Sequence, residues 1–248
     1  MKKILSLLRR CVEDYDMIQD GDRVAVGVSG GKDSLILLAS LARLSRFYPK
    51  KFTVEAFTVD MGIEGMDLSP IQSFCDELGV PCHIIPTQIN KVIFETRREK
   101  NPCALCAKMR KGSLHEAILA EGFHKVALGH HYDDAVETFF LSLFYEGRLS
   151  CFHPVTYLDR ADVTQIRPLL YVSESMVRDA ALRLNLPVVH NPCPADGNTK
   201  RQEVKDLIAA LEGRYPKLKE YVFSSMPRLP LPNWAPTELK RRPPTEEV

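Results

Sequence analysis

Arg23-Val24-Ala25-Val26-Gly27-Val28, followed directly by Ser29-Gly30-Gly31-Lys32-Asp33-Ser34, is the stretch that decides the fold of this chain. The β-branched first half predicts a buried strand, and the Leu, Ile and Ala residues of 34–44 predict a helix. Two glycines between them let backbone N–H groups approach a ligand, and the helix adds the positive end of its dipole. With the serine hydroxyls and Lys32, this pattern predicts a phosphate-binding loop.

The loop fits neither of two common nucleotide-binding patterns. The P-loop of nucleoside triphosphatases needs a glycine where Val26 stands, and a serine or threonine where Asp33 follows Lys32. The dinucleotide pattern needs a third glycine, which is absent at that spacing. A strand–helix turn without a ligand is the alternative reading of the two glycines.

Outward from the loop, strands and helices alternate, which predicts an α/β fold with a doubly wound, mostly parallel sheet. Strands are expected at 23–28, 52–59, 81–85, 125–128, 165–169 and 187–189, with helices between them at 34–44, 70–78, 113–121, 133–145 and 174–184. Residues 4–15 predict an N-terminal helix, and 201–211 and 217–225 predict a C-terminal helical extension. Six of the 17 prolines follow Met226. We therefore expect a division into an N-terminal helix (1–22), a nucleotide-binding domain (23–195), C-terminal helices (196–226) and an extended tail (227–248).

Composition excludes several classes of protein. The chain has 248 residues, 45% apolar and 26% charged, with a net charge of +1. Such values are typical of a globular protein rather than a disordered or collagen-like one. No apolar run approaches the length of a membrane span, and the N-terminus lacks a secretory signal core. The seven cysteines are an odd number, which argues against a pure disulfide framework. We therefore expect a cytoplasmic protein with reduced cysteines and no association with a membrane.

Acidic residues follow two of the expected strands, at the sheet edge where ligands of open parallel sheets bind. Asp60 ends the second strand, and Gly129 precedes the pair Asp133 and Asp134 after the fourth. Asp134 is the candidate for holding Mg²⁺ or accepting a proton. An ordinary turn at Asp60 and helix capping by the aspartate pair are the alternatives.

Three cysteines follow Asn-Pro pairs, which mark turns: Cys103 and Cys106 as a Cys-x-x-Cys, and Cys193 far along the chain. Thiolates on turns make good metal ligands, and three ligands leave one metal position open for reaction. A redox pair and a structural zinc site are the alternatives. The remaining cysteines are expected in the core (Cys11, Cys75, Cys82) and in a loop (Cys151).

These motifs together resemble a known family. The string Ser-Gly-Gly-Lys-Asp-Ser after a strand is similar to the loop of the PP-loop ATP-pyrophosphatases, and Gly129-His130-x-x-Asp133-Asp134 is similar to their second signature. The order of loop, Cys-x-x-Cys, Gly-His-x-x-Asp-Asp, Arg167-Pro168-Leu169 and a late cysteine resembles the TtcA family of tRNA 2-thiocytidine synthetases. Two segments depart from the family pattern. Ala135-Val136-Glu137-Thr138 is closer to related PP-loop branches, and Pro194-Ala195-Asp196-Gly197 follows Cys193 without a second cysteine.

The resemblance implies a fold, an activity and a set of cofactors. The fold is that of adenine nucleotide α-hydrolases, and the activity is ATP-dependent 2-thiolation of a tRNA pyrimidine, with cytidine expected. Cys103, Cys106 and Cys193 would hold a [4Fe-4S] cluster, while Asp134 handles Mg²⁺ or a proton. ATP would bind to the loop, to Gly129 and to Asp60, so the implied binding residues of the loop are Ser29, Gly30, Gly31, Lys32, Asp33 and Ser34.

Basic residues near the cysteines suggest an RNA substrate, because they would give a positive field beside the proposed cluster. The candidates are Lys108, Arg110, Lys111 and Arg201; solvated helix faces are the alternative. We expect tRNA, ATP and a sulfur donor (a cysteine desulfurase or sulfide) as partners, and a homodimer. The alternative functions are a PP-loop enzyme acting on another tRNA nucleotide or a small molecule, with zinc on the cysteines, and a non-catalytic nucleotide-binding regulator.

Overall fold

Six strands form one sheet in the computed structural model, which describes residues 1–97, 102–189 and 200–228. The strands are β1 (Asp22–Gly27), β2 (Phe52–Asp60), β3 (Cys82–Pro86), β4 (Lys125–Ala127), β5 (Val155–Leu158) and β6 (Val163–Ile166). Their order is β3-β2-β1-β4-β6-β5, and only the β5–β6 pairing is antiparallel within this sheet. The expected doubly wound, mostly parallel sheet is confirmed.

Helices cover both faces of this sheet. They are α1 (Lys2–Asp14), α2 (Lys32–Leu44), α3 (Ser69–Leu78), α4 (Ile89–Lys91), α5 (Pro102–Ala120), α6 (Tyr132–Glu146), α7 (Glu174–Arg183), α8 (Lys200–Arg214) and α9 (Leu218–Ser225). A π-helical turn (Val92–Thr96) follows α4. In the described parts of the chain, no helix is long and apolar enough to cross a membrane.

Two expected strands were misplaced. Residues 187–189 are not a strand; the backbone N–H of Val189 instead donates to the carbonyl of Gly30, at 3.0 Å, so this segment lies against the loop. The sheet edge is formed by β5, which sequence reasoning missed because this strand is short and only partly buried. The strand expected at 165–169 begins earlier and ends before Pro168, whose nitrogen has no hydrogen to donate to a ladder.

The Cys-x-x-Cys also differs from expectation, because it lies in a helix rather than in a turn before one. Helix α5 begins at Pro102, eleven residues before the expected start at 113, so Cys103 and Cys106 occupy its first two turns. Proline is favoured at the first helical position, where its missing N–H costs nothing. The Asn-Pro pair therefore marks a helix start.

Alternate residues of β1 face two separate layers of the core. Val24 and Val26 pack with the buried α2 and with α1, whose Leu8 belongs to the same cluster. Ala25 faces the opposite layer, which contains Ile118 of α5. Helix α5 therefore covers the sheet face opposite α2. The expected core positions of Cys11 and Cys75 are confirmed, whereas Cys82 is half-buried and Cys151, expected in a loop, is buried there.

Candidate functional site

A cleft of about 480 Å³ lies at the carboxyl ends of the central strands, between the phosphate loop and α5. Of the residues singled out from the sequence, it is lined by Ser29, Asp33, Ser34, Arg110, Lys111, Gly129 and Asp134. The lining does not include Gly30, Gly31, Lys32, Asp60, Lys108, Arg201, Cys103 or Cys106. Cys193 lies outside the described residues. The structure thus brings the loop, the second signature and the cationic side of α5 into one cleft.

The phosphate loop is stabilised by hydrogen bonds between a serine hydroxyl and the loop backbone. The Oγ of Ser34 donates to the carbonyl of Gly31 at 2.9 Å and accepts from the backbone N–H of Ser29 at 3.1 Å. Gly30 has a φ of +83°, a conformation that glycine adopts without strain. Lys32 begins α2 and pairs with Asp33 at 3.1 Å. Backbone amides and hydroxyls therefore surround a helix N-terminus, as anion binding requires.

Gly129 places the second signature directly against this loop. A Cβ at this position would lie 3.1 Å from the Ser34 nitrogen and 3.2 Å from the Asp33 carbonyl carbon. Asp60 behaves differently, because its Oδ1 accepts the backbone N–H of Gly62 at 2.9 Å and so closes its own turn. Val59, one residue earlier, is the part of this strand end that lines the cleft. Contact between Asp60 and adenosine stays a prediction.

His131 and Asp134 form a reciprocal cap at the start of α6. The backbone N–H of His131 donates to Asp134 Oδ2 at 2.9 Å, and the N–H of Asp134 donates to His131 Nδ1 at 3.3 Å. The other carboxylate oxygen of Asp134 lies 3.5 Å from the guanidinium of Arg201, which also pairs with Glu137 at 3.2 Å. Burial, followed by the charge of Asp134, raises the pKa of Glu137. Asp134 thus caps the helix and faces the cleft.

Asp133 has a different environment from its neighbour. Its Oδ2 accepts the backbone N–H of Glu174 at 2.6 Å, and its Oδ1 pairs with Lys219 of α9 at 3.1 Å. The Asp133 side chain is largely buried between these partners. This carboxylate therefore joins α6 to the starts of α7 and α9, and Asp134 alone of the pair lines the cleft.

Sequence reasoning did not place Arg167 and His130 in the site, yet both line the cleft. The Arg167 guanidinium donates to the His153 carbonyl and stacks 4.9 Å from the Phe152 ring centre. Burial lowers its pKa to about 10, and within the described residues no carboxylate pairs with it. Burial and then the Arg167 charge lower the pKa of His130 to about 4, which keeps its imidazole neutral. The motif Arg167-Pro168-Leu169 was the feature of the sequence that could have identified Arg167 as a site residue.

Helix α5 carries Cys103 and Cys106, the two candidate cluster ligands that the structure describes, just before Ala107 and Arg110, which line the cleft. Cys103 is exposed, and the half-buried Cys106 has its Sγ 3.7 Å from the Met61 sulfur, beside the end of β2. A spacing of three or four residues puts Cys103, Cys106 and Arg110 on one side of a helix. Two thiols one helical turn apart suit an iron–sulfur cluster or another thiophilic metal.

Comparison with known proteins identifies the family of this chain. The PP-loop domain family matches residues 2–224. The chain is 37% identical over 225 residues to the tRNA-cytidine(32) 2-sulfurtransferase of Bdellovibrio bacteriovorus, an alignment that covers 90% of this chain and 87% of that relative. The corresponding enzyme of Geobacter sulfurreducens is 38% identical over 228 residues, covering 91% and 89%. This chain belongs to the TtcA family of PP-loop proteins.

A solved structure gives the same result for the fold of this TtcA-family chain. The U34-tRNA thiolase NcsA from Methanococcus maripaludis, solved with its [4Fe-4S] cluster, superposes with a TM-score of 0.76 and 27% identity. The match covers 92% of this chain and 78% of the thiolase. The resemblance drawn from the motifs is therefore confirmed, and the sheet and its helices are those of a PP-loop enzyme.

Proposed function

We propose that this chain catalyses the ATP-dependent 2-thiolation of cytidine 32 in tRNA. The observation that carries the proposal is a single cleft that joins the phosphate loop, Asp134 and the cationic side of the cysteine-bearing α5. Relatives named tRNA-cytidine(32) 2-sulfurtransferase, matched over most of their length, support the substrate. An enzyme that activates a base with ATP and then replaces its oxygen needs these parts side by side.

The loop would bind the triphosphate of ATP. Backbone amides at 29–31, the hydroxyls of Ser29 and Ser34 and the charge of Lys32 would stabilise the leaving pyrophosphate, with Mg²⁺ sharing that charge. The C2 carbonyl oxygen of cytidine attacks the α-phosphorus, the bond to pyrophosphate breaks, and the base becomes adenylated. Sulfide then attacks C2, and AMP leaves with the former carbonyl oxygen.

Asp134 is the proposed acid–base or Mg²⁺ residue. One of its oxygens is fixed by the His131 N–H, which aims the carboxylate, while the other faces Arg201 and the cleft side of α6. Such an oriented carboxylate could accept a proton from the reacting base or hold a cation bound to phosphate. Asp60, by resemblance alone, would contact adenosine.

Cys103 and Cys106, together with Cys193, would hold the [4Fe-4S] cluster. The two described thiols fit this role, because they lie on one side of α5 beside the cleft and sulfur is the ligand that iron–sulfur clusters require. When bound, a cluster with one iron lacking a protein ligand supplies a position for sulfur close to the substrate.

The RNA would approach over α5. Of the described residues, Arg110 and Lys111 line the cleft without an ion-pair partner, and Lys108 is exposed on the same helix. Arg201 was also assigned to RNA, but its guanidinium is engaged by Asp134 and Glu137, so RNA contact would compete with those pairs. The cytidine must leave its stack to reach the cleft.

We also propose a homodimer, a cytoplasmic location, and a cysteine desulfurase or sulfide as the sulfur donor. The proposed division of the chain is 1–22, 23–195, 196–226 and 227–248. Burial of the α1 residues in the main core favours treating residues 1–22 as one folding unit with the domain that follows.

The test is metal content combined with nucleoside analysis. Protein purified without oxygen should contain iron and sulfide, and both should be lost in Cys103→Ala and Cys193→Ala but kept in the control Cys82→Ala, whose thiol lies at the start of β3. One equivalent of zinc without iron would reject the cluster. In a deletion strain, tRNA should lack 2-thiocytidine until the wild-type gene is restored; unchanged thionucleosides would reject the thiolase.

A further inference from the structure

Glu174, which no motif singled out, lies between the phosphate loop and α8. One carboxylate oxygen is 3.3 Å from the Lys32 ammonium, and the other is 2.7 Å from Lys205 of α8. Its own backbone N–H donates to Asp133 at 2.6 Å. Glu174 also begins α7, which packs beside α2, so the loop lysine and this glutamate stand at two adjacent helix N-termini. The position of Glu174 is thus fixed at both backbone and side chain.

The charges around the loop lysine cancel before any ligand arrives. Lys32 contacts both Asp33 and Glu174, and Glu174 also contacts Lys205, so two cations face two anions. Partial burial acts to raise the pKa of Glu174, but the hydrogen bond from Lys205 and the charges of Lys32 and Lys205 lower it to about 2. Glu174 is therefore ionised at neutral pH. A lysine ammonium has three N–H donors, and two carboxylates leave one for a phosphate oxygen.

We propose that Glu174 is a positioning residue that aims the Lys32 ammonium at the leaving pyrophosphate and limits the positive charge that holds this product. The inference rests on the proposed function, because it concerns the pyrophosphate formed when ATP activates the base. Held by Glu174, Lys32 presents its remaining N–H in one direction. The same carboxylate offsets part of the lysine charge, so pyrophosphate is stabilised as it forms but is not retained.

The two proposed effects of Glu174 predict that its replacement raises the affinity for pyrophosphate but lowers the rate of ATP activation. In Glu174→Gln the loop lysine loses an anionic neighbour but keeps a neighbour of the same size. Inorganic pyrophosphate should bind about fivefold more tightly, the change expected from one partly exposed ion pair. The rate of tRNA-dependent pyrophosphate release from ATP in a single turnover should fall by about tenfold to a hundredfold, because a small misplacement of a charged group is costly at the reacting centre.

The variants for the test are Glu174→Gln, Glu174→Asp and Lys205→Met, each in the full-length protein. Glu174→Asp keeps the negative charge that Glu174→Gln removes, so its pyrophosphate affinity should lie within about twofold of wild type. Lys205→Met removes the competing cation, which leaves Glu174 to neutralise Lys32 more fully, so pyrophosphate should bind about twofold more weakly. Glu146→Gln, which removes an exposed pair with Arg148 at the far end of α6, is the matched control and should change neither quantity.

Three quantities are measured for each variant: the affinity for pyrophosphate by calorimetry, the single-turnover rate of tRNA-dependent pyrophosphate release from ATP, and the unfolding temperature. Unchanged or weaker pyrophosphate binding in Glu174→Gln overturns the proposal, and so does tighter binding with an unchanged rate. If Glu174→Gln does not fold, the sign of the change in Lys205→Met decides. Wild-type protein that binds pyrophosphate but releases none from ATP in the presence of tRNA would reject the proposed thiolation, while the affinity measurements would still test the charge effect of Glu174.

Discussion

The two walls of the cleft are built in opposite ways. The loop wall consists of short contacts between neighbouring residues, such as Ser34 with Gly31 and Ser29, beneath a helix whose residues are almost all buried. The α5 wall is a helix with only His115 and Ile118 fully buried among its described residues, and its cations Arg110 and Lys111 lack carboxylate partners there. A rigid wall suits a small leaving group of fixed shape, whereas an exposed cationic wall suits a large polyanion.

The neighbouring residues Asp133 and Asp134 also differ, because Asp134 lines the cleft whereas Asp133 is buried in contacts between helices. Replacing Asp134 has the largest effect on activity that we expect. Asp134→Asn keeps an oxygen to accept the His131 N–H but loses the charge that faces Arg201. We expect tRNA-dependent pyrophosphate release from ATP to fall by about a hundredfold to a thousandfold, as for loss of an acid–base group, with little change in stability. Single-turnover kinetics and thermal unfolding measure the two quantities.

Asp133→Asn is the matched control for this prediction. Its carboxylate pairs with Lys219 and accepts the Glu174 N–H in a buried position, so removing the charge should cost about 1–3 kcal/mol of unfolding free energy. Its activity should exceed that of Asp134→Asn. A stable Asp133→Asn protein with the lower activity of the two would show that the roles of the two carboxylates are reversed.

The loop wall could be predicted from sequence because its contacts are local. A strand, two glycines, a lysine and a helix start within twelve residues dictate the backbone, and the Gly129 signature joins it at the next strand of the sheet. The partners of Glu174, Arg201 and Asp133 could not be predicted, because each lies more than thirty residues away and depends on how α7, α8 and α9 pack. Edge strand β5 was missed because it has only four residues, none of them fully buried, and its pairing with β6 is not visible in so short a segment.

Gly129→Ala tests the rigidity of the loop wall. The new methyl group would lie 3.1 Å from a backbone nitrogen of the loop helix, and backbone atoms yield less readily than the end of a side chain. We expect ATP to bind about tenfold more weakly, with a loss of about 1–3 kcal/mol in stability. Equilibrium dialysis with ATP measures the first quantity and chemical denaturation the second.

Gly112→Ala on α5 is the corresponding control, because nothing lies within 4 Å of its Cβ position. Alanine replaces glycine inside a helix, so stability should rise by about 0.5–1 kcal/mol while ATP affinity stays the same. Equal loss of ATP affinity in both variants would contradict the distinction between a tightly packed loop wall and a loosely packed α5 wall.

Lys108→Met tests the α5 wall and has the smallest expected effect. The Lys108 side chain is exposed and outside the cleft lining, so it would contact RNA phosphates without touching ATP. We expect tRNA to bind about two- to fivefold more weakly at low salt, and the slope of log affinity against log salt to decrease by about 1. Lys3→Met, an exposed lysine of α1 on the other face of the sheet, should leave that slope unchanged. Equal slopes for Lys108→Met and wild type would place the RNA path elsewhere than on α5, and a change in ATP affinity would show that the two walls are not independent.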